Sequence, residues 1–151
     1  MRMDKKVEIK SFCDDNRHDW SRLYTDYATF YELQMSPKIL DTVWDWIHDS
    51  THEIDAVGAF SGGVLLGIAH YRCYAQPVFA SYGLYLDDLF VDKNARRLGV
   101  ASSLLLWLKN EAARRNLDPV RWQTAPSNQK AQAVYDQLAK KTDWLTYDMS
   151  V

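Results

Sequence analysis

Thiols are scarce in this chain: Cys13 and Cys73 are the only two cysteines in 151 residues, far apart and outside any Cys-x-x-Cys pattern. That spacing argues against a disulfide framework and a cysteine zinc cluster, and two reduced, unpaired thiols are expected. As a nucleophile, Cys73 lacks an adjacent histidine in sequence, and its strand-like setting is typical of a buried cysteine. Histidine is sparse as well. His48 and His52 are four apart, but Asp49-Ser50-Thr51 reads as a helix end between them, so they are expected to be surface histidines and no metal site is expected. Long apolar runs are missing: none approaches the ~20 residues that cross a bilayer, and the stretch MRMDKKVEIK has no apolar centre of the kind a signal peptide carries. The expected location is the cytoplasm, without membrane contact. Nor is there an excess of one charge. Lys and Arg number 18 against 20 Asp and Glu, a formal charge of −2, which gives no general attraction to nucleic acid and a weak lean towards cationic partners.

What the chain does have is apolar bulk, 47% of its residues, enough for one compact domain over 1–151 with a full core. Val7 to Phe12 alternates as a first strand, and Asp14-Asp15-Asn16 supplies turn and cap chemistry before a helix that runs to about Leu33. In that helix Trp20, Leu23, Tyr24, Tyr27, Phe30 and Tyr31 recur at three and four, a broad aromatic stripe. Ser36-Pro37 caps a second helix, whose buried face is Ile39, Leu40, Val43, Trp44 and Ile47. Ile54 to Phe60 and Val64 to Tyr74 read as strands two and three, joined by a hairpin through Ser61-Gly62-Gly63. Gln76-Pro77 ends the third, Ala80 to Val91 is the fourth, and Arg121 to Thr124 is a short fifth after Asp118-Pro119. Pro126-Ser127 opens a helix carrying Ala131, Val134, Tyr135 and Leu138 inward, and Trp144 to Val151 alternates as a closing strand.

Between the fourth strand and the helix Ser102 to Arg115 lies Asp92-Lys93-Asn94-Ala95-Arg96-Arg97-Leu98-Gly99-Val100-Ala101. A glycine at a helix entrance lets a ligand come close to the backbone, and the first-turn N–H groups with the positive end of the helix dipole favour phosphate oxygens. Arg96 and Arg97 add positive charge. The pattern Arg96-x-x-Gly99-x-Ala101 resembles the phosphate-binding signature of the GNAT family of N-acetyltransferases, and Asn128, Ala131 and Tyr135 resemble that family's Asn-x-x-Ala-x-x-x-Tyr segment. The two segments lie about thirty residues apart with a strand between, as in the family. A P-loop reading is set aside, because no Gly-Lys-Ser/Thr follows Gly99.

The resemblance implies an α/β (α+β) fold: a mixed, mostly antiparallel sheet, splayed between strands four and five and flanked by four helices. It implies acetyl-CoA as donor, its pyrophosphate held by Arg96, Arg97, Leu98, Gly99, Val100, Ala101 and Ser102, and its arm by Asn128, Ala131 and the backbone of Leu89, Phe90 and Val91. The family's usual Gly-Phe pair and two final strands are replaced here by Ala139-Lys140-Lys141-Thr142-Asp143 and one strand. That ending resembles the branch with yeast histone- and polyamine-directed enzymes, and Asp87-Asp88 resembles the Glu-Asp pair of spermidine/spermine acetyltransferases.

Acetyl transfer from a thioester to an amine needs a neutral amine, stabilisation of the developing oxyanion, and a proton for the departing thiolate. Tyr135 is the candidate general acid; its alternative is a core aromatic. Asp87, through water, is the candidate base, with loss of the proton to solvent as the alternative. Asp87 and Asp88 alternate on a strand, so they are expected to point to opposite faces and to form no carboxylate dyad. Asp88, Tyr85 and Glu32 are candidate acceptor contacts, Asp41 and Asp45 a candidate cation-attracting helix face, and Trp44 and Tyr82 further cation–π partners. The acceptor expected is a small amine, polyamine, amino acid or basic protein side chain. A non-catalytic acyl-CoA-binding module is the rival reading. A homodimer paired through Trp144 to Val151 is expected, because an open sheet edge invites another chain.

Overall fold

The computed structural model describes residues 6–151. After β1 (Glu8–Lys10) a 3₁₀ turn over Asp14–Asn16 leads into α1 (Arg17–Phe30), followed by α2 (Pro37–His48). The Ser36 hydroxyl accepts from the Ile39 N–H at 3.2 Å, which satisfies one of the donors a helix start leaves over, and Pro37 has no such donor to lose. Next come β2 (Ile54–Ser61), β3 (Val64–Gln76) and β4 (Ser81–Val91), then α3 (Val100–Arg114), β5 (Val120–Arg121) and α4 (Gln129–Leu138). Gly62 and Gly63 both have positive φ, 57° and 79°, the twist that a tight hairpin between β2 and β3 requires.

The strands form one sheet in the order β1-β2-β3-β4-β5. All neighbours are antiparallel except β4 and β5, which run parallel and pair only at Leu84 with Val120 and Tyr85 with Arg121. Beyond Tyr85, β4 keeps β3 on one side and loses β5 on the other, the expected splay.

Each sheet face carries its own core. On one face Trp20 and Leu23 of α1 and Trp44 of α2 pack on Phe60, Leu65, Ile68 and Phe90. Helix α3 covers the other with Leu104, Leu105, Leu108 and Ala112 against Val57, Ala69, Leu84 and Leu86, joined by Val134 and Tyr135 of α4. The aromatic stripe of α1 is therefore mostly core.

The expected closing strand does not form. Residues 144–151 have no strand structure, and Trp144 and Tyr147 are 85% and 87% exposed. Among the described residues the segment touches the fold through Gln123, whose amide donates to the Thr146 hydroxyl at 2.7 Å. The physical reason is the neighbour: β5 is two residues long and offers almost no ladder to extend.

Gly58 marks how tightly the α1–α2 face is filled. A Cβ there would come within 2.7 Å of the Leu65, Phe12 and Phe60 side chains. Gly58→Ala is expected to lower unfolding free energy by about 1–3 kcal/mol, measured by urea titration; an unchanged midpoint would contradict this packing.

Candidate active site

The phosphate corner starts where β4 stops. Asp92 accepts from the Asn94 N–H at 2.9 Å and pairs with Arg22 of α1 at 2.9 Å, fixing the strand end to the helix beside it. Buried Ala95 then anchors a short 3₁₀ turn, and the backbone goes left-handed twice, at Arg97 (φ 65°) and Gly99 (φ 75°), before α3 begins. A Cβ on Gly99 would meet nothing within 4 Å, so the glycine serves the backbone angle and faces open space. Helix α3 has no side-chain cap. Its leading N–H groups, at Val100, Ala101 and Ser102, lack intrahelical acceptors and carry the positive end of the helix dipole.

In front of this corner, in the gap between β4 and β5, lies a cavity of about 490 Å³. It is walled by Leu89, Phe90 and Val91 of β4, by Arg96, Arg97 and Gly99 to Ser102, and by Asn128, Ala131 and Tyr135. Leu98 is two-thirds exposed and is not in the wall. The Arg96 guanidinium lies 5.7 Å from the Phe30 ring and 5.6 Å from the Phe90 ring, and its Nε donates to the Val91 carbonyl at 3.4 Å. Aromatic contact on two sides limits the conformations open to this charge at the cavity mouth.

At the other end stands Tyr135, its ring edge-on to Trp122 at 5.3 Å. Burial, with Tyr31 adding to it, pushes the phenol up to about 12, so the oxygen holds its proton throughout the neutral range. Asn128 caps α4, its Oδ1 accepting from the Ala131 N–H at 3.4 Å, while also lining the cavity. The cap therefore falls at Asn128, one residue beyond the expected Pro126-Ser127.

Asp87 borders the same place, at the point where β4 breaks its alternation. His70 pairs with Asp88 and Tyr71 with Leu86, which leaves Asp87 as an extra residue in a β-bulge. Asp87 and Asp88 consequently share a face, where strict alternation would have separated them. Asp87 joins Tyr27, Tyr31, Trp122, Gln123 and Tyr135 around a small cavity of about 20 Å³ that shares Tyr31, Leu89 and Tyr135 with the large one. Arg72 Nε donates to both Asp87 oxygens, at 3.3 and 3.1 Å. Burial nevertheless dominates and raises the Asp87 carboxyl above its ordinary value.

Asp88 is held differently. Trp20 Nε1 donates to His70 Nε2 at 2.9 Å, so the ring proton of His70 sits on Nδ1, from which it donates to Asp88 at 2.9 Å. The Tyr24 hydroxyl donates to the same carboxylate at 3.0 Å. Burial alone would raise Asp88, but the hydrogen bond from His70, with those of Tyr27 and Tyr24, holds it below its ordinary value. Asp88 borders neither cavity.

Other residues singled out from the sequence lie elsewhere. Glu32 is exposed in the turn after α1 with φ 56°, Asp41 pairs with Arg17, and Asp45 is exposed on α2. Trp44 is buried and unavailable to a ligand. Tyr85 holds the Arg72 guanidinium 5.0 Å over its ring, and Tyr82 is exposed. His48 and His52 are separately engaged, by the Trp44 carbonyl and the Ile54 N–H, and no metal-holding group of three or more His, Cys, Asp or Glu occurs among the described residues. Sequence reasoning missed Phe30, Tyr31, Trp122 and Gln123 in the walls, and the Trp20–His70–Asp88 chain. His70, a lone polar residue in an otherwise apolar strand, was the available signal.

The model of the Acetyltransferase (GNAT) family matches residues 17–139. The chain is 27% identical over 144 residues, 94% of its length and 89% of the relative's, to the D-amino-acid N-acetyltransferase HPA3 of Saccharomyces cerevisiae. Solved structures share the fold. A ribosomal-protein-alanine N-acetyltransferase from Brucella melitensis biovar Abortus 2308 superposes with a TM-score of 0.80 at 20% identity, covering 97% of this chain and 99% of that one. An aminoglycoside-type structure, AAC(6')-Iy in complex with a bisubstrate analogue built on CoA, gives 0.81 at 16% identity, covering 97% and 99%. With the family matched over most of its length, and the splayed sheet and glycine corner in place, the chain belongs to the acetyltransferase (GNAT) family and is an N-acetyltransferase.

Proposed function

We propose that the protein takes its acetyl group from acetyl-CoA and delivers it directly to a primary amine, with Tyr135 and Asp87 as the proton-handling residues. The observation that carries this reading is a pair of adjoining cavities with an uncapped helix start and two arginines at one end and a protonated phenol near a half-buried carboxylate at the other. The corner fits a pyrophosphate: open space before Gly99, leading N–H groups of α3, and Arg96 and Arg97 beside them. Asn128, Ala131 and the free edge of Leu89 to Val91 would hold the arm. The donor supplies an acetyl thioester, so that an N–C bond forms as a C–S bond breaks.

The chain's own groups handle the protons. Asp87 sits where an incoming ammonium can lose its proton to the carboxylate, directly or through a water, and its raised affinity for protons makes it a better acceptor than an exposed aspartate. Tyr135 keeps its proton on the phenol oxygen at neutral pH and can donate it in a hydrogen bond to the sulfur as the negative charge develops there, the thiolate then taking its proton through the phenol, which water replenishes. No covalent acyl-enzyme is needed. The name of the yeast relative puts amino acids among the acceptors to try, beside small amines, polyamines and basic peptides.

The same reading makes the protein a homodimer. Trp144, Leu145 and Tyr147 are left exposed on an extended segment beside a sheet edge that its own chain barely covers, and a second copy can supply the missing ladder. Sedimentation should show a dimer for the full chain at micromolar concentrations and a folded monomer for a chain ending at Thr142; a monomeric full chain would contradict it.

The function is tested by following free thiol and N-acetylated product together over an acceptor panel. Both are expected at equal rates with at least one amine, and thiol without product, or neither, would overturn the reading. Gly99→Glu, which puts a bulky anion in the corner, should abolish calorimetrically detected acetyl-CoA binding; parental affinity would refute the cradle. Tyr135→Phe should lower turnover by about 10²–10⁴-fold with acetyl-CoA affinity nearly unchanged, provided chemistry limits the rate. Parental turnover would reduce Tyr135 to a packing residue.

A further inference from the structure

The aromatic residues that the sequence offered for a cationic acceptor are not at the cleft: Trp44 is buried, Tyr85 holds Arg72, and Tyr82 is exposed outside both cavities. Other rings stand there. The small cavity beside Asp87 is walled by Tyr27 and Tyr31 at the end of α1, by Trp122 just beyond β5 and by Tyr135 on α4. They form two contacting pairs, with centroids 4.8 Å apart for Tyr27 and Tyr31 and 5.3 Å for Trp122 and Tyr135. Each of these side chains is half-buried, packed into the fold yet open on one side.

Size and chemistry together select what this space takes. About 20 Å³ is room for one group the size of a water molecule, which an ammonium group is and its N-methylated form is not. Among the described residues Asp87 is the only charged one in the wall. Arg72 bonds its two oxygens through Nε from outside that wall, and a carboxylate offers about four acceptor positions, so a second cation still finds partners on it. Aromatic rings attract a cation and displace its water, which strengthens the attraction. A cation in so small a space touches Asp87 and the rings at once. The slot adjoins the large cavity at Tyr31, Leu89 and Tyr135. A nitrogen that has given its proton to Asp87 therefore stands beside the phenol, at the end of the cleft where the thioester is expected.

We propose that this aromatic slot receives the acceptor nitrogen as an unsubstituted ammonium, and that Trp122, which borders the slot and not the large cavity, is a specificity-determining residue that attracts the cation and shuts out an N-alkyl group. This rests on the acetyl-transfer reading above and narrows its acceptor to aliphatic amines that arrive as a bare ammonium.

Butylamine, leucine and Nα-acetyl-lysine amide, each against the derivative methylated on its reacting nitrogen, test this with saturating acetyl-CoA. Primary and secondary alkyl amines are alike in basicity and nucleophilicity, so the comparison reads fit. For the parent, kcat/KM should favour the unmethylated amine by at least about tenfold, as expected when a methyl group is forced into filled space. With the best of the three, Trp122→Leu should raise KM roughly two- to thirtyfold, the range of one cation–π contact, and Trp122→Phe by less. Both variants enlarge the slot, so the share of activity on the methylated amine should rise, with acetyl-CoA affinity unchanged. A parent that acetylates both forms alike overturns the inference, and that is the result if the slot holds only a water between Asp87 and an amine outside it. A Trp122→Leu enzyme that loses rate on both forms by the same factor, or on neither, also overturns it. In each of these cases the transfer reading stands. If none of the amines is acetylated although acetyl-CoA binds, the transfer reading and this inference fall together.

Discussion

Between Leu86 and Asp88 the fourth strand carries one residue more than its partner, and that surplus residue, Asp87, is turned to the same face as its neighbour. Much of the acceptor side depends on this irregularity. Without it Asp88 would follow Leu84 and Leu86 onto the face covered by α3, where a carboxylate would be costly to bury, instead of lying beside Asp87. The bulge is held from beneath. Trp20 fixes the His70 tautomer, His70 and Tyr24 hold Asp88, and the paired register on either side then leaves Asp87 no other course. A buried chain of satisfied hydrogen bonds thus supports a carboxylate that is itself only half satisfied, by Arg72.

The second constraint is the shortness of β5. Two paired residues let β4 run on alone, and the gap becomes the cavity that the start of α3 closes at one end and Tyr135 at the other. Charge is sorted along this gap: Arg96 and Arg97 beside the glycine corner, the protonated phenol beyond them, and past the phenol Asp87, held by Arg72. A chain with nearly balanced total charge therefore carries a basic corner at one end of the gap, which no whole-chain count reveals.

Most of the fold was legible because its elements carry strong local signals. The Ser36-Pro37 start, the Gly62-Gly63 hairpin and the Gly99 corner are each set by residues with restricted or special backbone behaviour, and each falls where the sequence places it. The wall of the large cavity was legible for the same reason, since Gly99, Asn128, Ala131 and Tyr135 sit at fixed offsets on two adjoining segments. The acceptor side was not. A bulge depends on how two strands register, which periodicity within one strand does not encode, so Asp87 and Asp88 were assigned to opposite faces. The closing segment failed for a related reason: Trp144 to Val151 has the composition of a strand, but a strand exists only with a partner edge, and β5 is too short to be one.

The central claim is that Asp87, beside the cleft at the bulge, is the group that accepts the amine's proton. The most direct measurement is the pH dependence of kcat/KM for the parent and for Asp87→Asn with one acceptor whose own pKa is known. Because burial raises the Asp87 carboxyl, the parent should lose activity on the acid side as that carboxylate takes a proton, above the pH at which an ordinary aspartate would. In Asp87→Asn that limb should vanish and the deficit should be largest below the acceptor's pKa, where most of the amine still carries the proton to be removed. Identical profiles of identical magnitude for the two enzymes would contradict the account and leave Asp87 a structural carboxylate.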